Sequence, residues 1–469
     1  MALPNTHLGY EGIRSVMGEG KKSIFFAGVG GISMNSLAQV CALRGHRVSG
    51  YDRTKTDITC RLESLGVTVY YESSPEIVEN VDILVYTVAM PDDDPAYVRA
   101  GELGIPRISR ADFLGYIMMG YTSRVGVSGM HGKSTTTALT ASVYSAAGAD
   151  PTVFGGAVMK DCGSSNLIGG DCAFIFEACE YMDSFLDFYP TTAIVLNIEM
   201  DHVDYFRSME QIKTSFTAFM NRAKTAVVNI ADSDVMEAAR RSGAEIVTFG
   251  EGRRDADYYA ENVTFSKGYA SFDIFCRGSL LCRAEMRVPG RHMVTDALAA
   301  AAAAHRDGIT PEAIEAGLKN YTGIKRRMEL RGQTVEGISV FDDYAHHPTE
   351  LRSTLSAAAE LGYGRTLCVF QPHTFSRTAE LLDDFAAALG GAAVDEVVLA
   401  EIYPAREKNI YGVSSALLAE KIRERGRTCR VLPDFDSIAA YVKASLSDGD
   451  AAFIIGAGDI NKVSGLLVE

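Results

Sequence analysis

The sequence predicts an α/β protein of three domains, each built on a largely parallel sheet. At 469 residues the chain is too long for one hydrophobic core, and about 150 residues per domain gives roughly three. Short apolar runs rich in β-branched residues alternate with helix-like stretches from end to end, the pattern of strands covered by helices. Two of these runs lead straight into glycine-rich turns, a junction at which α/β folds hold phosphate groups.

The first run is Ser23-Ile-Phe-Phe-Ala-Gly28. The glycine turn after it leads to a helix expected from about Ser33 to Arg44, with Gly45 placed as a C-cap. His46 to Asp52 reads as the second strand and Val81 to Thr87 as another, and this domain is expected to span 1–121. A second series, 122–323, opens with Arg124-Val-Gly-Val-Ser128 running into a glycine loop. It continues through Ala173-Phe-Ile-Phe-Glu177, Ala193-Ile-Val-Leu-Asn197 and Ala226-Val-Val-Asn229. Shorter alternating runs between Val247 and Val288 suggest a meander at the sheet edge. Ala297 to Ala304 is followed at once by His305, Arg306 and Asp307, so it reads as a packed helix, well short of the ~18 apolar residues of a membrane span. The third series, 324–469, includes Ser339 to Asp343, Thr366 to Phe370, Glu396 to Ala400 and Ala452 to Gly456.

The formal net charge of −15 argues against broad binding to a nucleic-acid backbone, and an anionic substrate needs a local basic cluster. The N-terminus, Met1 to Gly12, has neither a basic region nor an apolar one, so no signal peptide is evident. Nine scattered cysteines, with Cys172 and Cys179 at no common zinc spacing, fit reduced thiols in a cytoplasmic protein without membrane or nucleic-acid partners.

The strongest signal is Gly126-Val-Ser-Gly-Met-His-Gly-Lys-Ser-Thr135. Gly126, Gly132, Lys133 and Ser134 follow the Walker A pattern with one extra residue between the outer glycines. Small residues let backbone N–H groups face phosphates, and the next helix adds its positive end. Lys133 would supply a mobile, solvent-facing charge to the β and γ oxygens, and the Ser134 hydroxyl a ligand for Mg²⁺. The earlier turn, Gly28-Val-Gly-Gly31 with Asp52 downstream, partly matches a dinucleotide fingerprint, but Ser33 stands where the third glycine belongs.

Glu177-Ala-Cys-Glu-Tyr-Met-Asp183 and Asn197-Ile-Glu-Met-Asp-His202 both emerge at strand C-termini, where open α/β sheets hold ligands. Glu177 and His202 could complete Mg²⁺ sites beside the loop. Lys325-Arg-Arg327, in the hinge before the third domain, reads from composition as a solvated charge run. The adjacent histidines of Asp342-Asp-Tyr-Ala-His-His-Pro-Thr349, and Gln371-Pro-His-Thr-Phe-Ser-Arg377, suggest a site in the third domain.

In order and spacing these segments resemble the Mur ligases over nearly the whole chain. The segments Asp342 to Glu350, Val369 to Thr378 and Tyr403-Pro-Ala-Arg-Glu-Lys408 are most similar to the alanine-adding branch, and Gly323 to Glu329 to the interdomain segment. The resemblance implies an N-terminal Rossmann-like UDP-binding domain, a central P-loop ATPase domain and a C-terminal Rossmann-like domain that brings the amino acid. It implies ATP and Mg²⁺ as cofactors, UDP-N-acetylmuramate and L-alanine as substrates, and a monomer or homodimer. Nucleotide contacts fall on Gly126, Ser128, Gly129, Met130, His131, Gly132, Lys133, Ser134 and Thr135, and metal contacts on Ser134, Glu177 and His202. Tyr344, His346 and Arg377 match positions near the incoming amino acid, while Arg326 and Arg327 match those facing the nucleotide and acyl group. Gly28, Gly30, Gly31 and Asp52 fall in the UDP-sugar domain. Lys133, His202, Arg326, Arg327, His346 and Arg377 are the catalytic candidates.

The implied chemistry activates a carboxylate as an acyl phosphate, which an amine then attacks, with His346 or a nearby carboxylate taking the amine's proton. A sister ligase joining a peptide is the near alternative, and a non-catalytic ATP-binding module a further one. A nicotinamide oxidoreductase would leave Lys133 and Ser134 unexplained. Four departures stand out. Met130 replaces a threonine, and so does Ser134. Tyr70-Tyr71-Glu72 replaces a Gly-His pair. Met293 and Asp296 replace two asparagines, and an ionised Asp296 could accept hydrogen bonds but not donate them.

Overall fold

The computed structural model describes residues 3–202 and 205–468. Three sheets follow one another along the chain. The first is all parallel, in the spatial order Thr68–Tyr70, Arg47–Tyr51, Ser23–Ala27, Ile83–Tyr86, Arg107–Ser109. Its apolar run Ile24 to Ala27 is fully buried, as expected of a strand covered on both faces. The helix after it spans Ile32–Leu43, one residue earlier at each end than the sequence suggests.

The central sheet has ten strands. Ser123–Ser128, which feeds the phosphate loop, lies between the parallel strands Thr192–Val195 and Ala173–Glu177. Both edges are antiparallel. One is the expected meander, Tyr258–Ser266, Tyr269–Cys276 and Ser279–Glu285. The other, Thr152–Met159 with Ser164–Leu167, was not expected from the sequence. Its pattern is broken by Gly155 and Gly156, and its turn is polar. Gly156 has a reason to be glycine, because a Cβ there would lie 2.4 Å from the Glu177 carboxylate.

The alanine-rich stretch belongs to the helix His292–Arg306, and Ala297 to Ala304 are all fully buried. A helix enclosed on every side is apolar all round, and small side chains let neighbouring elements approach closely. The third sheet runs Glu329–Gln333, Ser339–Asp343, Ala451–Ile455, Thr366–Phe370, Glu396–Leu399, Cys429–Val431, parallel except for its first strand. An apolar cluster joins the first two sheets through Phe113, Ile117, Phe185 and Phe188. Among the described residues no helix is long and apolar enough to cross a membrane.

Candidate active site

The loop between Ser123–Ser128 and the helix Lys133–Ala146 is shaped by glycine. Gly132 has φ +83° and precedes the helix without a side-chain cap, and a Cβ on it would meet Asp296 Oδ1 at 3.0 Å. The first backbone N–H groups of that helix therefore face outward uncommitted, which suits an anion. The structure corrects the expectation of a solvent-facing Lys133. Its side chain is only 13% exposed. The ammonium donates to the carbonyls of Gly129 at 2.6 Å and Met130 at 3.2 Å, and lies 3.0 Å from Glu180.

Glu180 is the acid whose importance the sequence did not reveal. It is fully buried, with Lys133 on one side and His202 Nε2 at 3.2 Å on the other. Burial alone would raise its pKa, but these two groups hold it below the usual carboxylate value. Glu177 is placed differently: its Oε2 accepts from the Ser134 hydroxyl at 2.7 Å and from the Gly156 N–H at 3.1 Å. Ser134 and Glu177 thus present hard oxygen donors to one point, which suits Mg²⁺. His202, at φ +51°, contacts Glu180 rather than Glu177.

Across the cleft, the third domain contributes a second charged cluster around Glu350. This residue sits in the first turn of the helix Pro348–Glu360, accepting from the His346 N–H at 3.0 Å and from Arg327 at 3.2 Å. His131 Nδ1 lies 3.5 Å away, and Nε2 of the same ring is 3.4 Å from Glu199. Burial would lower the His131 pKa, yet the two carboxylates outweigh it and raise it to about 9. Of the run 325–327, Lys325 is exposed, but the two arginines are no solvated face: Arg327 reaches into this hub, and Arg326 bonds the Gly456 carbonyl at 2.6 Å. Both guanidinium groups lie over the Tyr344 ring, at 4.9 and 5.6 Å from its centroid.

The two histidines divide their work. His347 is buried and caps the helix, accepting from the Thr349 N–H. His346 lines the cleft, with Nδ1 3.1 Å from the Tyr344 carbonyl. A carbonyl can only accept, so that bond puts the proton on Nδ1 and leaves the Nε2 lone pair free. Burial lowers the His346 pKa and favours its neutral form. Arg377 spans the domains to Asp201 at 3.4 Å, and its cation helps hold the Asp201 carboxyl down to about 2 despite burial.

Two cavities flank the loop. The larger, about 590 Å³, is lined by Lys133, Ser134, Glu177, His202, Arg326, Arg327, Tyr344 and His346. The smaller, about 230 Å³, lies behind Gly132 between Asn229, His292, Met293, Asp296 and Tyr321. His292 Nδ1, Asp296 Oδ2 and the Tyr321 hydroxyl are buried there without hydrogen-bond partners. Burial pushes Asp296 up to about 7, which corrects the expectation that it is an ionised, accept-only group. The turn in the first domain closes on itself, with Asp52 Oδ2 accepting from the Gly30 N–H at 2.8 Å. Gly28, at φ +84°, begins that turn, and Gly31 precedes the helix Ile32–Leu43.

Comparison with known proteins accounts for all three domains. Residues 23–122 match the model described as Mur ligase family, catalytic domain; 127–304 the Mur ligase middle domain; and 326–458 the Mur ligase, glutamate ligase domain. The UDP-N-acetylmuramate–L-alanine ligase of Clostridium novyi is 39% identical over 96% of this chain and 98% of its own length. That of Acetivibrio thermocellus is 41% identical over 96% of each chain. Among solved structures, the UDP-N-acetylmuramate-alanine ligase of Thermotoga maritima superposes with a TM-score of 0.77 at 26% identity, covering 95% of this chain and 98% of that one. With the same three modules in the same order and this identity across almost the full length, the chain belongs to the Mur ligase family.

Proposed function

We propose that this chain joins L-alanine to the carboxylate of UDP-N-acetylmuramate at the expense of ATP, in peptidoglycan precursor synthesis. The observation that carries this reading is the single cleft into which Lys133, Ser134, Glu177 and His202 converge with Arg326, Arg327 and His346 from the hinge and third domain, while Arg377 reaches Asp201 on its wall. Gly126, Ser128, Gly129, Met130, His131, Gly132 and Thr135 shape the nucleotide loop, and Gly28, Gly30, Gly31 and Asp52 the turn that takes the UDP-sugar.

Bound ATP supplies the phosphoryl group that makes the carboxylate a competent acyl donor, and bound Mg²⁺ neutralises the transferring oxygens. Ser134, Glu177 and His202 would hold the metal. Lys133 supplies a fixed positive charge beside the phosphates, and Arg326 and Arg327 offer donors to charge developing at the acyl centre. His346 is neutral and its Nε2 is free, so it can take a proton from the alanine ammonium and leave a nucleophilic amine. Tyr344 and Arg377 frame the amino-acid end.

The test is phosphate release with UDP-N-acetylmuramate, ATP and each small amino acid, using ¹⁸O in the muramate carboxylate. One label is expected in the inorganic phosphate, and alanine is expected to exceed glycine by about 10–200-fold, the usual worth of one methyl in a pocket. Label in AMP, or equal use of leucine or a peptide, would refute the reading.

The cavity behind Gly132 yields a second prediction. A neutral carboxyl can both donate and accept, as an asparagine amide does. Asp296 should therefore support nucleotide binding below about pH 7 and lose its donor above it. ATP affinity of the wild type should fall between pH 6 and 9, while Asp296→Asn stays flat and binds more tightly at pH 9 by about 0.5–1.5 kcal/mol. Parallel pH profiles for the two proteins, measured by calorimetry, would remove Asp296 from nucleotide binding.

A further inference from the structure

His131, Glu199 and His347 come together from three stretches of chain: the phosphate loop, the segment after the strand Thr192–Val195, and the start of the third-domain helix Pro348–Glu360. One ring nitrogen of each histidine and one carboxylate oxygen of Glu199 all lie within 4.8 Å of one another. His131 Nε2 stands 3.4 Å from Glu199 Oε2, already about the spacing of two ligands on a tetrahedral ion with bonds of about 2.0–2.1 Å. That nitrogen is buried and makes no hydrogen bond with any described residue, although the Glu199 charge lies beside it. The His347 ring lies against that of His131, with centroids 4.9 Å apart. Burial lowers the His347 pKa to about 4, so this imidazole is neutral. None of the three residues belongs to the Mg²⁺ set of Ser134, Glu177 and His202.

The neighbours supply the outer contacts that orient metal-bound histidines and carboxylates. His131 Nδ1 faces Glu350 at 3.5 Å, which turns Nε2 of the same ring toward Glu199. Glu199 Oε2 accepts from the Thr349 hydroxyl at 3.0 Å. The Glu199 side chain is 36% exposed, which leaves an entry path from solvent. Two imidazoles with one carboxylate suit zinc and similar transition-metal ions, whereas Mg²⁺ prefers oxygen throughout. Three protein ligands leave a fourth position for water, and His131 and Glu199 border the smaller cavity, which has room for it. Binding displaces the proton that Glu199 and Glu350 hold on His131, and this proton passes to solvent. His347 ligates as the neutral ring, its own proton on the nitrogen away from the metal, and gives up the 3.3 Å bond from the Thr349 N–H.

We infer that His131, Glu199 and His347 form a site for Zn²⁺ or a similar transition-metal ion, which on binding pins the third domain to the phosphate loop. The smaller cavity is walled by Gly132 and Asp296 of the central domain and by Asp343 and Ser353 of the third, so a ligand enters and leaves as the two domains part. A metal with ligands on both sides holds them together, and turnover stops. The inhibition rests on the reaction proposed above; the site does not.

The test is calorimetric titration of Zn²⁺ into wild type, Glu199→Gln and His347→Asn, all with Mg²⁺ in excess, and with Co²⁺ as a second probe read by its visible absorption. Glutamine keeps an acceptor for Thr349, and asparagine keeps a helix cap, so both variants are expected to fold. Wild type should take up one Zn²⁺ per chain and release about one proton. Each variant should lose at least about 10- to 100-fold in affinity, the range for losing even an outer-shell partner, and the tetrahedral Co²⁺ bands should vanish with it. Zn²⁺ should inhibit wild-type turnover, a chelator should reverse this, and each variant should resist it relative to its own metal-free rate. No uptake by wild type, or equal uptake by all three proteins, overturns the site. Uptake with turnover untouched overturns the pinning. A protein that binds Zn²⁺ in this way but makes no ligase product overturns the reaction proposed above and leaves the site standing.

Discussion

Lys133→Ala should abolish ligase turnover, by at least about 10²–10³-fold, the usual cost of removing one preorganised electrostatic group from a reacting centre. It should also destabilise the protein, which a lysine pointing into solvent would not do. The ammonium is the near neighbour of Glu180, which is fully buried, and among the described residues the only other side-chain partner of that carboxylate is His202 at 3.2 Å. Breaking a buried pair by removing one member costs about 3–5 kcal/mol, because the other charge is left uncompensated. The double variant Lys133→Ala/Glu180→Gln separates the two effects. Removing the stranded charge should restore most of the melting temperature while turnover stays lost, a non-additive result expected of residues in contact. Near-normal turnover in Lys133→Ala would end the phosphate-loop assignment. A single variant as stable as wild type, with no gain from the second substitution, would show instead that Glu180 does not depend on Lys133.

What the sequence discloses is what local chemistry dictates. The strand runs, the glycine turns and the Lys133-Ser134 helix start are read from neighbours in the chain, because backbone conformation and phosphate geometry constrain adjacent residues. Glu180 is a different case. It lies three residues from Glu177 in a segment that also holds Asp183, and nothing local tells which of the three acids is buried. The left-handed residues Met182 and Asp183 bend that segment in a way that neither helical nor strand periodicity describes. Arg327 reads as solvated from the sequence for a related reason: its partner Glu350 is 23 residues away, beyond two intervening strands. A signal for Glu350 did exist. Pro348 after two histidines marks a helix start, which puts an acid in the first turn four residues from His346. The polar edge strands Ser164–Leu167 and Glu329–Gln333 escaped because they bury little and so carry no apolar alternation.

Glu350→Gln should lower both stability and turnover, and it should change how stability depends on pH. The carboxylate holds Arg327, the His346 backbone and His131 at one point where the loop, hinge and third domain meet. Burial would raise its pKa, yet His346, Arg327 and His131 keep it well below the usual carboxylate range. Glutamine keeps the shape and an acceptor for the His346 N–H but leaves Arg327 and protonated His131 short of a counter-charge. A loss of about 3–5 kcal/mol follows for an uncompensated buried pair, together with at least a tenfold fall in turnover as the arginine and histidine lose their positions. The pH dependence gives the sharper test. His131 has a folded pKa near 9, above its ordinary 6.5, so its contribution is fully present below about pH 6.5 and is lost as pH rises toward 9. A shift of that size is worth about 3 kcal/mol at most. In Glu350→Gln only Glu199 remains to raise the His131 pKa, so the decline should be smaller and should end at a lower pH. Calorimetric unfolding of both proteins between pH 6 and 9.5, with His131 titrated by NMR, checks each part. The same decline in both proteins, with the His131 pKa unmoved, would show that Glu350 is not the charge that sustains this junction.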